Sequence, residues 1–211
     1  MGKSSHFLGQ PLYSQIIDLL SKSKILRISR ENGGERYLKS FNGWTHLVVM
    51  LYAVIQRFDS LREIAASLLA ESRKLCHLGI SVKTSRSTLA DANKRRPEAV
   101  FEAIYRDLYA TYRTVLSSDS RSRKTPRWMK RLQIIDSTTI TLFSNLLFKG
   151  VGRHPKTGKK KGGIKVHTVI HANEGVPSDI KFTSAATSDS FMLRPGNLDK
   201  GDLIAMDRAY Y

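Results

Sequence analysis

Acidic residues are scarce in this chain, and cysteine is nearly absent. Asp and Glu number 18 among 211 residues against 35 Lys and Arg, a formal charge of +17. Such an excess puts a strong positive field on the surface and points to a polyanionic partner, although charge alone does not separate DNA from RNA or anionic lipid. The single cysteine, Cys76, excludes an internal disulfide and any zinc module built on several thiolates; its expected role is core filler on a helix. Long apolar runs are missing too. The longest, Leu47 to Ile55, falls far short of the ~20 residues that a bilayer-spanning helix needs. No apolar signal core follows Met1, and His6 stands where a myristoylation signal needs Ser or Thr, so the expected location is the cytoplasm. No internal repeat is visible. A chain of this length suits one large domain or two small ones, and two are expected.

What is present divides at a polar stretch. From Pro11 to Leu26, apolar residues recur at helical spacing (Leu12, Ile16, Ile17, Leu20, Ile25), which predicts one amphipathic helix. A turn is expected at Arg30 to Glu35, followed by a strongly apolar helix from Trp44 to Phe58. Ser60 and Glu63 have capping-box spacing and should open a helix through about Cys76, with Gly79 at its end. Thr88 and Asp91 stand at capping spacing in a further helix that Arg96-Pro97 should end. These two helices have the order of a helix-turn-helix with a longer turn. Arg86, Asn93, Lys94, Arg95 and Arg96 are therefore candidate DNA contacts, against the plainer reading of a solvated helix face. Glu98 to Leu116 predicts a long helix whose aromatic residues belong to the core. Ser117 to Pro126, rich in serine and positive charge, reads as a linker, so the expected domains are 1–120 and 121–211.

Beyond the linker the pattern becomes strand-like. Arg131 to Leu142 is a β-branched run with one carboxylate, Asp136, inside it, which is costly unless a turn, hydroxyls or a cation compensates the charge. Lys149 to Gly163 has no acidic residue and reads as a basic loop on a nucleic-acid backbone, with Arg153, Lys156, Lys159, Lys160, Lys161 and the following Lys165 as candidate contacts. Its glycines do not have phosphate-loop spacing, which argues against nucleoside triphosphate binding. Gly163 to Ala172 and Val176 to Ala185 predict a hairpin around Asn173-Glu174-Gly175. His167 and His171 would lie about 13 Å apart along one strand face, too far to share a zinc ion, and are expected on the polar face. A short helical segment is expected around Ser190 to Leu193. Asp202 to Asp207 then repeats the pattern of an apolar strand ending in a carboxylate. If the strands of Asp136 and Asp207 lie side by side, the two carboxylates can share divalent cations of the magnesium or manganese kind.

Several stretches carry a resemblance: Leu12 to Gln15, Leu61-Arg62-Glu63, Arg86 to Arg96, Ile135 to Ile140, Gly158 to His167 and Asp207-Arg208-Ala209-Tyr210. Together they resemble bacterial insertion-sequence transposases of the IS-four family. The resemblance implies an α+β chain: a helical DNA-binding domain followed by an incomplete ribonuclease H-like α/β catalytic domain. It implies Asp136 and Asp207 as the first two acids of an Asp-Asp-Glu triad, as catalytic residues and as ligands of Mg2+ (or Mn2+). The implied partner is the double-stranded DNA of transposon ends, with a homodimer in a synaptic complex also allowed and no membrane involved. The family's glutamate, in a Tyr-x-x-Arg-x-x-x-Glu context, has no counterpart before Tyr211, and Ser188-Asp189 stands where His-Asp is common. The expectation is a truncated copy without strand-transfer activity. The alternatives are a non-catalytic DNA-binding regulator and a basic RNA-associated protein.

Overall fold

The structure is a computed structural model that describes residues 12–38, 40–75, 80, 84–116, 126, 128–141, 152–153, 162–190 and 200–210. The chain forms two compact units, Met1–Leu108 and Tyr109–Tyr211. The first is helical and the second is built on a sheet, giving an α+β chain. Most of the expected linker at Ser117–Pro126, the Gly79 helix end and most of the Ser190–Leu193 segment lie outside the described residues. No described helix is long and apolar enough to cross a membrane.

In the first unit, the expected single helix from Pro11 to Leu26 is two: α1 (Leu12–Asp18) and α2 (Lys22–Glu31). Ser21 separates them, because its side chain accepts the Lys24 N–H at 3.5 Å and caps α2. Apolar periodicity runs through this break, and Ile17 and Ile25 are buried on either side of it. The central helix is α3 (Gly43–Gln56), capped by Asn42 through the Thr45 N–H at 2.9 Å. Trp44, Leu47, Val48, Val49, Tyr52 and Ala53 are all buried, as expected of a helix enclosed by its neighbours.

α4 (Leu61–Ala70) begins at Ser60, which accepts from the Glu63 N–H at 3.3 Å. The reciprocal arm differs from the expected capping box: Glu63 accepts the N–H of Asp59, at 3.0 Å, one residue earlier. Glu71 interrupts the helix, and α5 (Ser72–Leu75) follows. α6 (Arg86–Arg95) is capped by Ser85 through the Thr88 N–H at 3.2 Å, so Thr88 lies inside the helix rather than capping it. α7 (Glu98–Leu116) starts after Pro97 as expected and seals the core with Val100 and Ile104.

The second unit is a five-stranded sheet made of β1 (Leu132–Thr141), β2 (Gly152–Arg153), β3 (Gly162–His171), β4 (Pro177–Ser184) and β5 (Leu203–Met206). Its order is β2-β3-β1-β5, with β4 also paired to β3. β3 runs antiparallel to β1 and β4, whereas β5 runs parallel to β1. The β3–β4 hairpin turns through Gly175, whose φ of +68° favours glycine. Glu174 in this turn accepts from Tyr109 and from Arg113 Nε, the latter at 2.8 Å, which ties the end of α7 to the hairpin. At the same end of the sheet, where β1 begins, Gln133 donates to Asp202 at 2.5 Å and Arg131 to the Lys200 carbonyl at 3.0 Å, fixing β5 against β1.

Candidate active site

β5 sets the geometry. Its parallel register with β1 pairs Leu132 with Leu203, Gln133 with Ile204, Ile134 with Ala205 and Ile135 with Met206. Asp136 and Asp207 are the next residues on their two strands. Neighbouring strands lie about 4.8 Å apart, and residues in matching register of a parallel pair share a face. The two carboxylates therefore come to the same edge of the sheet, where β5 ends.

Both side chains are exposed. Asp136 Oδ1 accepts the Ser137 N–H at 2.8 Å, and Asp207 Oδ1 accepts the Arg208 N–H at 2.5 Å. Neither carboxylate makes an ion pair among the described residues. Two neighbouring anions repel unless a cation lies between them, and hard oxygen donors left open to solvent suit Mg2+ or Mn2+. Among the described residues, no group of three or more His, Cys, Asp or Glu converges at metal-holding range, so the pair has no third ligand there.

Behind this edge lies a polar cluster that sequence reasoning did not assemble. Asp189 Oδ1 accepts from Ser137 Oγ at 2.7 Å and pairs with Lys165 Nζ at 3.0 Å. Burial opposes the charge on Asp189, but the bonds from Ser137 and Lys165 hold its carboxyl below the usual range. His167 is fully buried, with Nε2 on Thr183 Oγ1 at 2.8 Å. Desolvation lowers its pKa although the nearby Asp189 charge works the other way. Tyr210, three residues after Asp207, packs its ring on Ile135 and Val169. Burial raises its pKa and the carboxylates of Asp189, Asp136 and Asp207 act in the same direction, while the Ser137 side chain opposes them.

One sequence expectation is refined here and one corrected. His167 stands with Lys165 on the polar face of β3, but that face is covered, and Lys165 is not an exposed DNA contact. β3 places Gly163, Lys165, His167 and Val169 on its more buried face and leaves Ile164, Val166, Thr168 and Ile170 half-buried. Lys165 is held inward by Asp189 and by the Thr187 carbonyl at 2.8 Å.

The candidate DNA contacts of the first unit separate in the same way. Arg86, Lys94 and Arg95 are exposed on α6, and Arg95 is paired with Asp91 one turn earlier. Asn93 is exposed, yet its Oδ1 meets His46 Nε2 at 2.7 Å. Arg96 is a correction: it is buried, donating to the carbonyls of Gly34 and Phe41 at 3.1 Å each and meeting His46 Nδ1 at 2.5 Å. Its guanidinium is engaged inside the core and offers no fork to a phosphate. His46 is pushed down to about 4, mainly by burial and partly by the Arg96 charge, although its bond to Asn93 acts in the opposite direction. Arg153 lies on β2, and Lys156, Lys159, Lys160 and Lys161 lie outside the described residues.

Two known family models match separate parts of the chain. Residues 127–211 match the model of the transposase DDE domain, and residues 8–81 match a domain of unknown function, DUF4372. No curated protein and no solved structure matches the chain. The sheet unit thus carries the match that supports a DDE transposase.

Proposed function

We propose that this chain is a DNA transposase of the IS-four family that binds insertion-sequence ends, with a site built for metal-dependent phosphodiester cleavage. The observation that carries the reading is the parallel register of β1 and β5, which brings Asp136 and Asp207 together. Asp136 and Asp207 would hold Mg2+ (or Mn2+), which when bound supplies an activated water or 3′-hydroxyl and stabilises the leaving oxygen. The neighbouring backbone N–H groups of Ser137 and Arg208 orient the two carboxylates. Residues 1–120 form the DNA-binding domain, with Arg86, Lys94 and Arg95 on α6 contacting backbone or groove, and 121–211 belong to a ribonuclease H-like catalytic domain. Arg153, Lys156, Lys159, Lys160 and Lys161 add a basic loop along the phosphates. A homodimer in a synaptic complex is an assembly this reading allows.

The test is nicking of duplex DNA carrying the element ends, with Mg2+ and with chelator. Nicking that needs Mg2+ and disappears in Asp136→Asn and Asp207→Asn supports the reading; nicking indifferent to both substitutions contradicts it. The lack of a third converging acid among the described residues favours one second reading, a DNA-binding regulator without catalysis. That protein would bind end DNA with no metal dependence and no loss in either Asp variant.

A further inference from the structure

The polar cluster behind the aspartate pair is unusual for the inner face of a sheet, because two charged groups stand where apolar side chains would pack at no desolvation cost. Ser137 is the register partner of His167 across β1 and β3, and Thr139 is the partner of Lys165. Lys165 is 9% exposed and His167 is fully buried. Asp189, on the segment after β4, closes on both strands at once: its Oδ1 lies 2.7 Å from Ser137 Oγ, 3.0 Å from Lys165 Nζ and 3.9 Å from His167 Nδ1. The Thr187 carbonyl takes a further bond from Lys165 at 2.8 Å, so the ammonium is fixed from two sides of the same turn.

A buried ion pair rarely stabilises more than an apolar pair of similar size, so its contribution has to be sought in what it positions. Here it holds Ser137. The Ser137 hydroxyl is committed to Asp189, and its backbone N–H is directed at Asp136 Oδ1, 2.8 Å away. Beside Ser137 stands the buried Tyr210 hydroxyl, close enough for the Ser137 side chain to lower its pKa. Asp189 itself is ill placed to be a third metal ligand, because the oxygen facing the cluster already receives two donors and its charge is balanced by Lys165.

We infer that Asp189 and Lys165 form an ionic latch that locks Ser137, and through the Ser137 N–H the Asp136 carboxylate, in the orientation needed to bind a divalent cation. Asp189 is a positioning residue. The latch rests on the proposed metal site at Asp136 and Asp207 and adds a second layer to it. Groups that orient metal ligands typically change affinity about 10–100-fold when removed.

The deciding experiment measures Mn2+ affinity by titration calorimetry on the full chain, alongside the melting temperature of each variant. Wild type should bind Mn2+, and Asp136→Asn should abolish that binding. The double variant Lys165→Met with Asp189→Leu replaces the pair by apolar side chains; it should melt near wild type but bind Mn2+ about tenfold more weakly or worse. Ser137→Ala should weaken Mn2+ several-fold without a change in melting. A folded double variant or Ser137→Ala protein with wild-type Mn2+ affinity would overturn the latch while leaving the metal site intact. If the double variant does not fold, Ser137→Ala decides alone, on the same criterion. Wild-type binding that ignores Asp136→Asn is a separate outcome, which removes the metal site and the latch with it.

Discussion

Val48, Leu68, Leu89 and Val100 are removed from solvent in the helical unit, whereas in the sheet unit Ile134, Ile140, Leu203 and Phe182 remain 40%, 49%, 45% and 70% exposed. The described part of the sheet encloses a small apolar cluster, Ile135, Val169 and Tyr210, and spends much of its buried face on Lys165, His167 and Ser137. One unit is organised by its apolar core. The other is organised around the polar groups next to two aspartates, and this contrast separates residues that hold the fold from residues available for chemistry.

The largest effect that would test this contrast is a cavity in the helical core. Leu89→Ala should destabilise that unit by about 2–5 kcal/mol in urea unfolding, whereas Ile140→Thr on the open sheet face should stay within about 0.5 kcal/mol. Comparable losses in both would mean that the sheet face is covered in solution.

Arg96→Ala comes next, at about 3 kcal/mol, because it strands the Gly34 and Phe41 carbonyls and the His46 ring inside the core. A loss under about 0.5 kcal/mol would return Arg96 to the surface.

His46 gives a pH test of similar size. Its folded pKa of about 4 lies below the unfolded value of 6.5, so the unfolded chain takes the proton first. Stability is full above pH 6.5 and falls as pH drops towards 4, by roughly 3 kcal/mol in total. His46→Gln should flatten the urea midpoint across that window; an unchanged slope would point to other groups.

Arg95→Ala should have the smallest effect on stability, within about 0.5 kcal/mol, because its partner Asp91 is itself exposed. It should nevertheless lower duplex DNA affinity and reduce the salt slope by about 1, measured by anisotropy across salt concentrations. An unaltered slope would remove α6 from the DNA interface.

Much of this was legible in the chain, and the exceptions share a cause. The β-branched run around Asp136, the turn at Glu174-Gly175 and the short run before Asp207 mark their own strands through local composition. Alternation on β3 also sorts Ile164, Val166 and Ile170 from Lys165 and His167, but it does not say which face is covered. That depends on Asp189 and Tyr210, residues distant in sequence, and they bury the polar face. The parallel register that aligns Asp136 with Asp207 is equally non-local, fixed by Gln133 on Asp202 and Arg131 on Lys200. Arg96 did carry a local signal. It follows Leu89 and Ala92, both buried, at the spacing of the inner face of α6, so periodicity directs it inward although its charge suggests the outer face. Ser21 shows the reverse: periodicity continued through it, and a side-chain cap ended the helix.

The measurement that bears most directly on the central claim is Mn2+ titration of wild type beside Asp136→Asn and Asp207→Asn, with melting temperatures to show that each is folded. The account predicts saturable binding by wild type that each substitution abolishes, with melting unchanged or raised because a repulsion between neighbouring anions is relieved. Undiminished Mn2+ binding by both folded variants would contradict it.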